Sequence, residues 1–297
     1  MSRTIKDILA LFPGTIEQDW KQHNNGKGWI KTSAYAENTA CIEGIIFGNA
    51  RVFGNARVSG NAQVSGDARV SGNAWVFGDG RVSGNAQVSG DGRVSGNAWV
   101  FDNAQVFGDG RVSGNAQVFG NALVFDNAQV FGDGWVSGNA WVFGDGRVFD
   151  NAQVFGNAQV FGNAWVFDNA QVFGNAWVFG DARVSGNARV FDNARVSGNA
   201  QVFGDAQVSG DAQVSGNAWV LNPLSIVGSA HSVNLVSYTQ IAVGCEVREF
   251  ADWLKNYKSV GRLHGYTAEQ VKEYGEILKY LVKAAEVYIK RNEAMLK

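Results

Sequence analysis

Histidine, cysteine and surplus basic charge are scarce in this sequence. There are three His and two Cys in 297 residues. Cys41 and Cys245 lie far apart and form neither a spaced metal motif nor a disulfide framework. Two free thiols suit a reducing compartment. The formal charge is -2 with no basic run, which excludes the electrostatic footprint of a nucleic-acid partner. No apolar run reaches spanning length, so no membrane helix is expected. The start, "MSRTIKDILALFPG", has an apolar run broken by Asp7 and lacks a small-residue cleavage site. No secretory signal is expected, and the reading is cytoplasmic.

What the chain has is repetition. Valines from Val52 to Val220 fall six apart, making 29 uninterrupted hexads, and the 38 Gly are concentrated there. Each hexad reads Gly or Asp, Asn or Asp, Ala or Gly, a variable residue, Val, then Ser or Phe. In an extended segment Ala and Val share one side, and the variable residue and the Ser or Phe share the other. Gly and Asn most cheaply adopt positive φ, so the Gly-Asn step is expected to turn the chain every six residues. A period of six fits neither a helix nor ordinary hairpins. Three sides of six residues give an 18-residue coil that stacks as a parallel solenoid.

The pattern "x-A-x-V-S-G" resembles the hexapeptide repeat of left-handed parallel β-helix proteins, and the match covers Gly28 to Leu221. The fold class implied is an all-β solenoid of three-sided coils. Left-handedness comes from the resemblance alone, since parallel crossovers generally favour the right hand. One departure is Phe, in place of a small residue, after the aliphatic in 16 of the 29 hexads. Upstream, Ile30, Ala36 and Ile42 keep the period, and a two-residue shift at "EGII" resets it to Ile46. About eleven turns at about 4.8 Å make a prism about 50 Å long. The "NNGKGWI" entry, the Gly-Asn-Ala run and the "VGC" strand are similar to repeat proteins encoded by phages and prophages. That likeness implies a viral setting, with virion association beside the cytoplasmic reading.

The open ends of such a coil need caps. Residues 1–27 are read as an N-terminal cap, 28–221 as the coil and 222–297 as a C-terminal cap. "TIKDILALF" reads as a short helix with Thr4 as N-cap, followed by a hairpin at "HNNGKG". Past Val220 the frame dissolves at Asn222-Pro223, and "SYTQIAVGC" reads as a strand. A helix over about Val247 to Val260 presents Val247, Phe250, Leu254 and Tyr257. A last helix opens with a Thr267/Gln270 capping box and runs towards Met295. Its seam of Val271, Tyr274, Leu278, Leu281, Ala285 and Tyr288 has two readings: an oligomerisation coiled coil, or packing on the preceding helix and the last coil.

Many proteins with this helix are acyltransferases with a His base, and others are carbonic anhydrases with His zinc ligands. Here His23, His231 and His264 all lie outside the hexads, and no insertion loop interrupts the repeat. A Ser229 or Ser232 pair with His231 is set against a capping His. Cys245 reads as a small residue of the cap. The repeated glycines are corners and form no phosphate loop. No metal or cofactor is expected.

The outer surface carries the remaining information. Five hexads place Trp75 with Phe77, Trp99 with Phe101, Trp141 with Phe143, Trp165 with Phe167 and Trp177 with Phe179, all facing out. By face the 16 Phe divide 6, 5 and 5 and the 7 Trp divide 2, 3 and 2, so counting singles out no face. No Thr occurs in the hexads, which excludes an ice-binding ladder. The expectation is a non-enzymatic rigid scaffold that self-associates or meets another protein. The alternatives are a module engaging a host protein or glycan through these rungs, and an acyltransferase-like enzyme with an intersubunit site.

Overall fold

A computed structural model describes residues 3–216, 219–221, 225–235, 239–244 and 246–293, except the side chains at 219–221, 225, 227, 232 and 286–293. Asn222, Pro223, Cys245 and Met295 therefore lie outside the described residues, as do the side chains of Ser232 and Tyr288. The repeat forms a parallel β-helix with one short strand per hexad. Strands 18 residues apart pair in register, as Arg57 pairs with Trp75 and Trp75 with Arg93. Three sheets result. The first face starts at Trp29–Lys31, the second at Tyr35–Ala36 and the third at Cys41–Ile42.

Inside, Ala and Val alternate with outward residues as the period of two requires. Every inward Val from Val52 to Val202 is fully buried, as are the Ala beside them. Each coil thus buries about three Val, at about 1.5–3 kcal/mol each. The corner Gly of the hexads takes φ between +62° and +73°. Among the described residues Asn does not share this role, contrary to expectation: the positive-φ residues other than Gly in the hexads are Asp102, Asp126, Asp150, Asp168 and Asp192, at +57° to +60°. These are the Asp of the "FDNA" hexads, and Asp tolerates the left-handed region. Asp168 also accepts a hydrogen bond from the Gly186 amide one coil on, at 3.1 Å.

The corner Asn side chains build ladders. Nδ2 of each Asn donates to Oδ1 one coil further on, without a break from Asn85 through Asn103, Asn121, Asn139, Asn157, Asn175 and Asn193 to Asp211. A carboxylate accepts but cannot donate, so an Asp ends a ladder in this direction. Asp133, Asp181 and Asp205 are such ends.

The first coil is shorter. Trp29 pairs with Ile45 and Cys41 with Arg57, both 16 residues on, before the spacing becomes 18. The missing two residues are at Glu43-Gly44, where a Cβ on Gly44 would lie 2.5 Å from the Ala62 carbonyl oxygen. Ahead of it, α1 (Ile5–Leu11) is capped by Thr4, whose amide and hydroxyl both bond the Asp7 carboxylate and hold it below its usual range. Strand Trp20–Gln22 then pairs antiparallel with Trp29–Lys31, closing the expected hairpin onto the first face.

The C-terminal part has its own core. Strands Ser225–Val227, Ser232–Leu235, Gln240–Val243 and Glu246–Glu249 form an antiparallel sheet. It is followed by α2 (Phe250–Leu263) and α3 (Ala268–Glu293). Helix α2 starts three residues later than the sequence suggests. Val247 belongs to the last strand and is exposed, as is Leu254. The buried residues of α2 are instead Trp253, Val260 and Gly261, with Phe250 and Tyr257 packed beside them. The Trp253 indole donates to the Ile241 carbonyl, which fixes the helix on the sheet. The Thr267/Gln270 capping box forms as expected.

The ladder rule is testable at one atom. Asn139→Asp keeps the acceptor for Asn121 but loses the donor to Asn157. Thermal unfolding at pH 7 should show a loss of about 0.5–1 kcal/mol. Protonation restores a donor, so the loss should shrink as the pH falls below about 3.9.

Candidate functional site

Two places bear on function, the outer faces of the coil and the C-terminal cap. On the coil, the Phe after Val are half-buried, and most of them lean on a Phe one coil away. Phe107, Phe125, Phe143, Phe161 and Phe179 form one unbroken column on the second face, with centroids 4.7–5.0 Å apart and planes within 6° of parallel. Shorter columns run through Phe131, Phe149 and Phe167 on the third face and Phe155, Phe173 and Phe191 on the first. Ser at the next position ends a column, as at Ser137 and Ser185.

The paired rungs expected from the sequence are partly as expected. Trp75 meets Phe77 at 4.8 Å, Trp99 meets Phe101 at 5.7 Å and Trp141 meets Phe143 at 6.5 Å. Trp165 and Trp177 instead meet the Phe of the preceding coil, Phe149 at 6.0 Å and Phe161 at 6.2 Å. Arginines cover several of these rings. Arg147 and Arg183 lie on Trp165 at 5.1 and 4.9 Å, Arg195 on Trp177 at 4.8 Å and Arg81 on Trp99 at 5.2 Å.

Charge sorts the faces that aromatic counts do not. Of the ten Arg in the hexads, Arg57, Arg93, Arg111, Arg147 and Arg183 are on the third face. The variable positions from Gln87 to Trp177 on the second face, and from Trp99 to Gln171 on the first, carry no charge. The exposed Trp follow this sorting. Trp99 and Trp135 on the first face and Trp141 on the second are 40%, 43% and 41% exposed. Trp135 and Trp141 flank one corner.

In the C-terminal cap, Tyr274, Leu278, Leu281 and Ala285 are buried against the sheet and α2, with Val271 half-buried. These residues pack within the chain. Their intramolecular partners are α2 and the four-stranded sheet, so most of the seam is covered. Ser229 donates its hydroxyl to Glu273, while His231 Nδ1 meets the Tyr266 hydroxyl at 2.6 Å, so no Ser229–His231 pair forms. His264 meets Glu246 at 3.2 Å. Glu246 is also held by Arg248, whose second partner Asp252 is kept below its usual range chiefly by that guanidinium. At the other end, His23 is buried between the Asn25 and Glu37 carbonyls. Among the described residues no group of three His, Cys, Asp or Glu is placed to hold a metal, and no helix is long and apolar enough to cross a membrane.

The repeat model called YdcK β-solenoid repeat matches residues 46–60, 50–66, 62–78, 116–132, 170–186, 182–198, 188–204, 194–210 and 206–222. The chain is a β-helix repeat protein. The matched stretches lie along the observed solenoid, between residues 46 and 222. No curated protein matches the chain.

If stacking is what shelters the Phe rings, position in a column should set their worth. Phe143 has a ring on either side, whereas Phe53 stacks on none among the described residues. Phe143→Ala should therefore cost about 2 kcal/mol more than Phe53→Ala in denaturant unfolding.

Proposed function

We propose that the protein is a non-enzymatic rigid scaffold whose first and second faces dock another protein, in the simplest case a second copy of itself. The observation that carries this reading is the sorting of the surface. Among the described residues the three most exposed Trp of the coil lie on faces whose central coils have no charge at the variable positions; Arg lies over Trp75 and Trp165 on the third face, and on the other two over Trp99 and Trp177 at the margins of the uncharged stretches. Apolar rings exposed together beyond what a lone domain needs mark a contact surface, and Trp is among the residues enriched at the centres of interfaces.

The coil supports the scaffold half of the reading. From Ile45 onward its strands pair 18 residues apart without a change of register, it holds no insertion and it spends its interior on Ala and Val. A glycan reading would rest on open ring faces, but the Phe faces are stacked on one another. An acyl-transfer reading would rest on a His beside the coil, and the three His lie in the caps. The likeness of the repeat to phage and prophage proteins supports a viral setting for the scaffold, in the cytoplasm or on the virion.

Light scattering on the full chain tests the docking face. A mass above 31.9 kDa that rises with concentration is expected, falling to the monomer in the double variant Trp135→Gln, Trp141→Gln. A parent that stays monomeric at all concentrations contradicts self-association. An oligomer untouched by the double variant moves the contact elsewhere.

A further inference from the structure

The C-terminal sheet and its two helices surround a cavity of about 110 Å³. Its floor is buried, formed by Val243, Trp253, Val260, Tyr274 and Leu278. Its mouth is polar, formed by His231, Glu246, His264 and Tyr266, all more exposed than the floor. Protein interiors leave few voids of this size, and this one sits where glycines let the surrounding side chains press on bare backbone. A Cβ on Gly275 would lie 2.4 Å from the Tyr257 ring, one on Gly244 2.9 Å from the His231 ring and one on Gly261 2.9 Å from Val271. The rings are thus seated outward against backbone, and the space between them stays unfilled.

Size and lining restrict what can enter. An apolar cavity of roughly 150 Å³ takes benzene, so one six-membered ring is near the limit here. The Trp253, Tyr257 and Tyr274 rings suit an aromatic guest through edge and offset contacts. The mouth asks for one polar group. When the Tyr266 hydroxyl donates to His231 Nδ1, the proton of the neutral imidazole is on Nε2. That nitrogen has no hydrogen-bond partner among the described residues. Glu246, held in place by Arg248 and His264, supplies an acceptor at the same mouth.

We propose that this cavity binds a small phenol, with its ring against Trp253 and Tyr257 and its hydroxyl at the mouth between His231 and Glu246. The site is independent of the coil and of the docking faces proposed above. Phenol meets both requirements at once: its oxygen accepts a hydrogen bond from His231 Nε2–H and its hydroxyl donates one to the Glu246 carboxylate.

Calorimetric titration of the full chain with phenol and with toluene tests the proposal. Saturable one-to-one phenol binding is expected, with toluene weaker by about fivefold for want of the hydrogen bonds. Val260→Phe fills the floor and should weaken phenol by at least about tenfold. His231→Gln should bring phenol down to the level of toluene and leave toluene unchanged. Three results overturn the proposal: no saturable binding of either compound, equal binding of both, or phenol binding that survives Val260→Phe and so belongs to the exposed Trp of the coil. If circular dichroism shows that Val260→Phe has lost the helices, His231→Gln decides, and an unchanged phenol affinity then overturns the proposal.

Discussion

The whole coil depends on one backbone constraint, a left-handed residue at every sixth position that turns the chain by the same amount each time. Beyond the first coil residue n stands over residue n-18, so equivalent positions of the hexad stack on one another. Val stacks on Val inside, Asn on Asn at the corners and Phe on Phe outside. A side chain other than Gly would strain this φ, and a Cβ there also approaches the next corner closely, as at Gly156, where it would lie 3.0 Å from the Gly174 nitrogen. The chain departs from Gly at these corners with Asp in the "FDNA" hexads, and that Asp can return a hydrogen bond to the next coil.

With the interior set by Ala and Val, the outward positions are free to differ, and they do so in an ordered way. Asp in the Asn position ends an amide ladder because a carboxylate has no proton to pass on. Ser in the Phe position ends a ring column. Arg gathers on the third face and stacks on Trp, and the other two faces are left uncharged over their middle coils. The same stacking that stabilises the coil therefore also decides which rings are sheltered and which are open. Trp135 and Trp141 are open with no Arg over them among the described residues, and Trp99 is as open beneath Arg81.

Most of the fold was legible because a six-residue period has few structural solutions. The frame shift at Glu43-Gly44, the Thr4 helix and the Thr267 capping box could all be read from spacing and turn chemistry. The role of Asn could not, because Gly and Asn both favour positive φ and only the structure shows that Gly takes that place while Asn builds the ladder. The start of α2 was missed because Val247, Phe250, Leu254 and Tyr257 fit a helical face, yet Val247 pairs with Ala242 in a strand. The sorting of Arg needed the faces to be compared for charge as well as for rings. Little of the C-terminal cavity was visible, since its lining comes from four segments whose nearness is a tertiary fact, though His231 and His264 were both noticed as isolated titratable groups.

The central claim is that identical corners make a rod whose length is set by the number of coils and whose cross-section is not. Small-angle X-ray scattering of the parent and of a variant with 72 extra residues, four coils inserted in frame after Val118, tests it most directly. The account predicts an unchanged cross-sectional radius and a maximum dimension longer by about 19 Å. A thicker particle, or an added segment that scatters as a flexible chain, would contradict it.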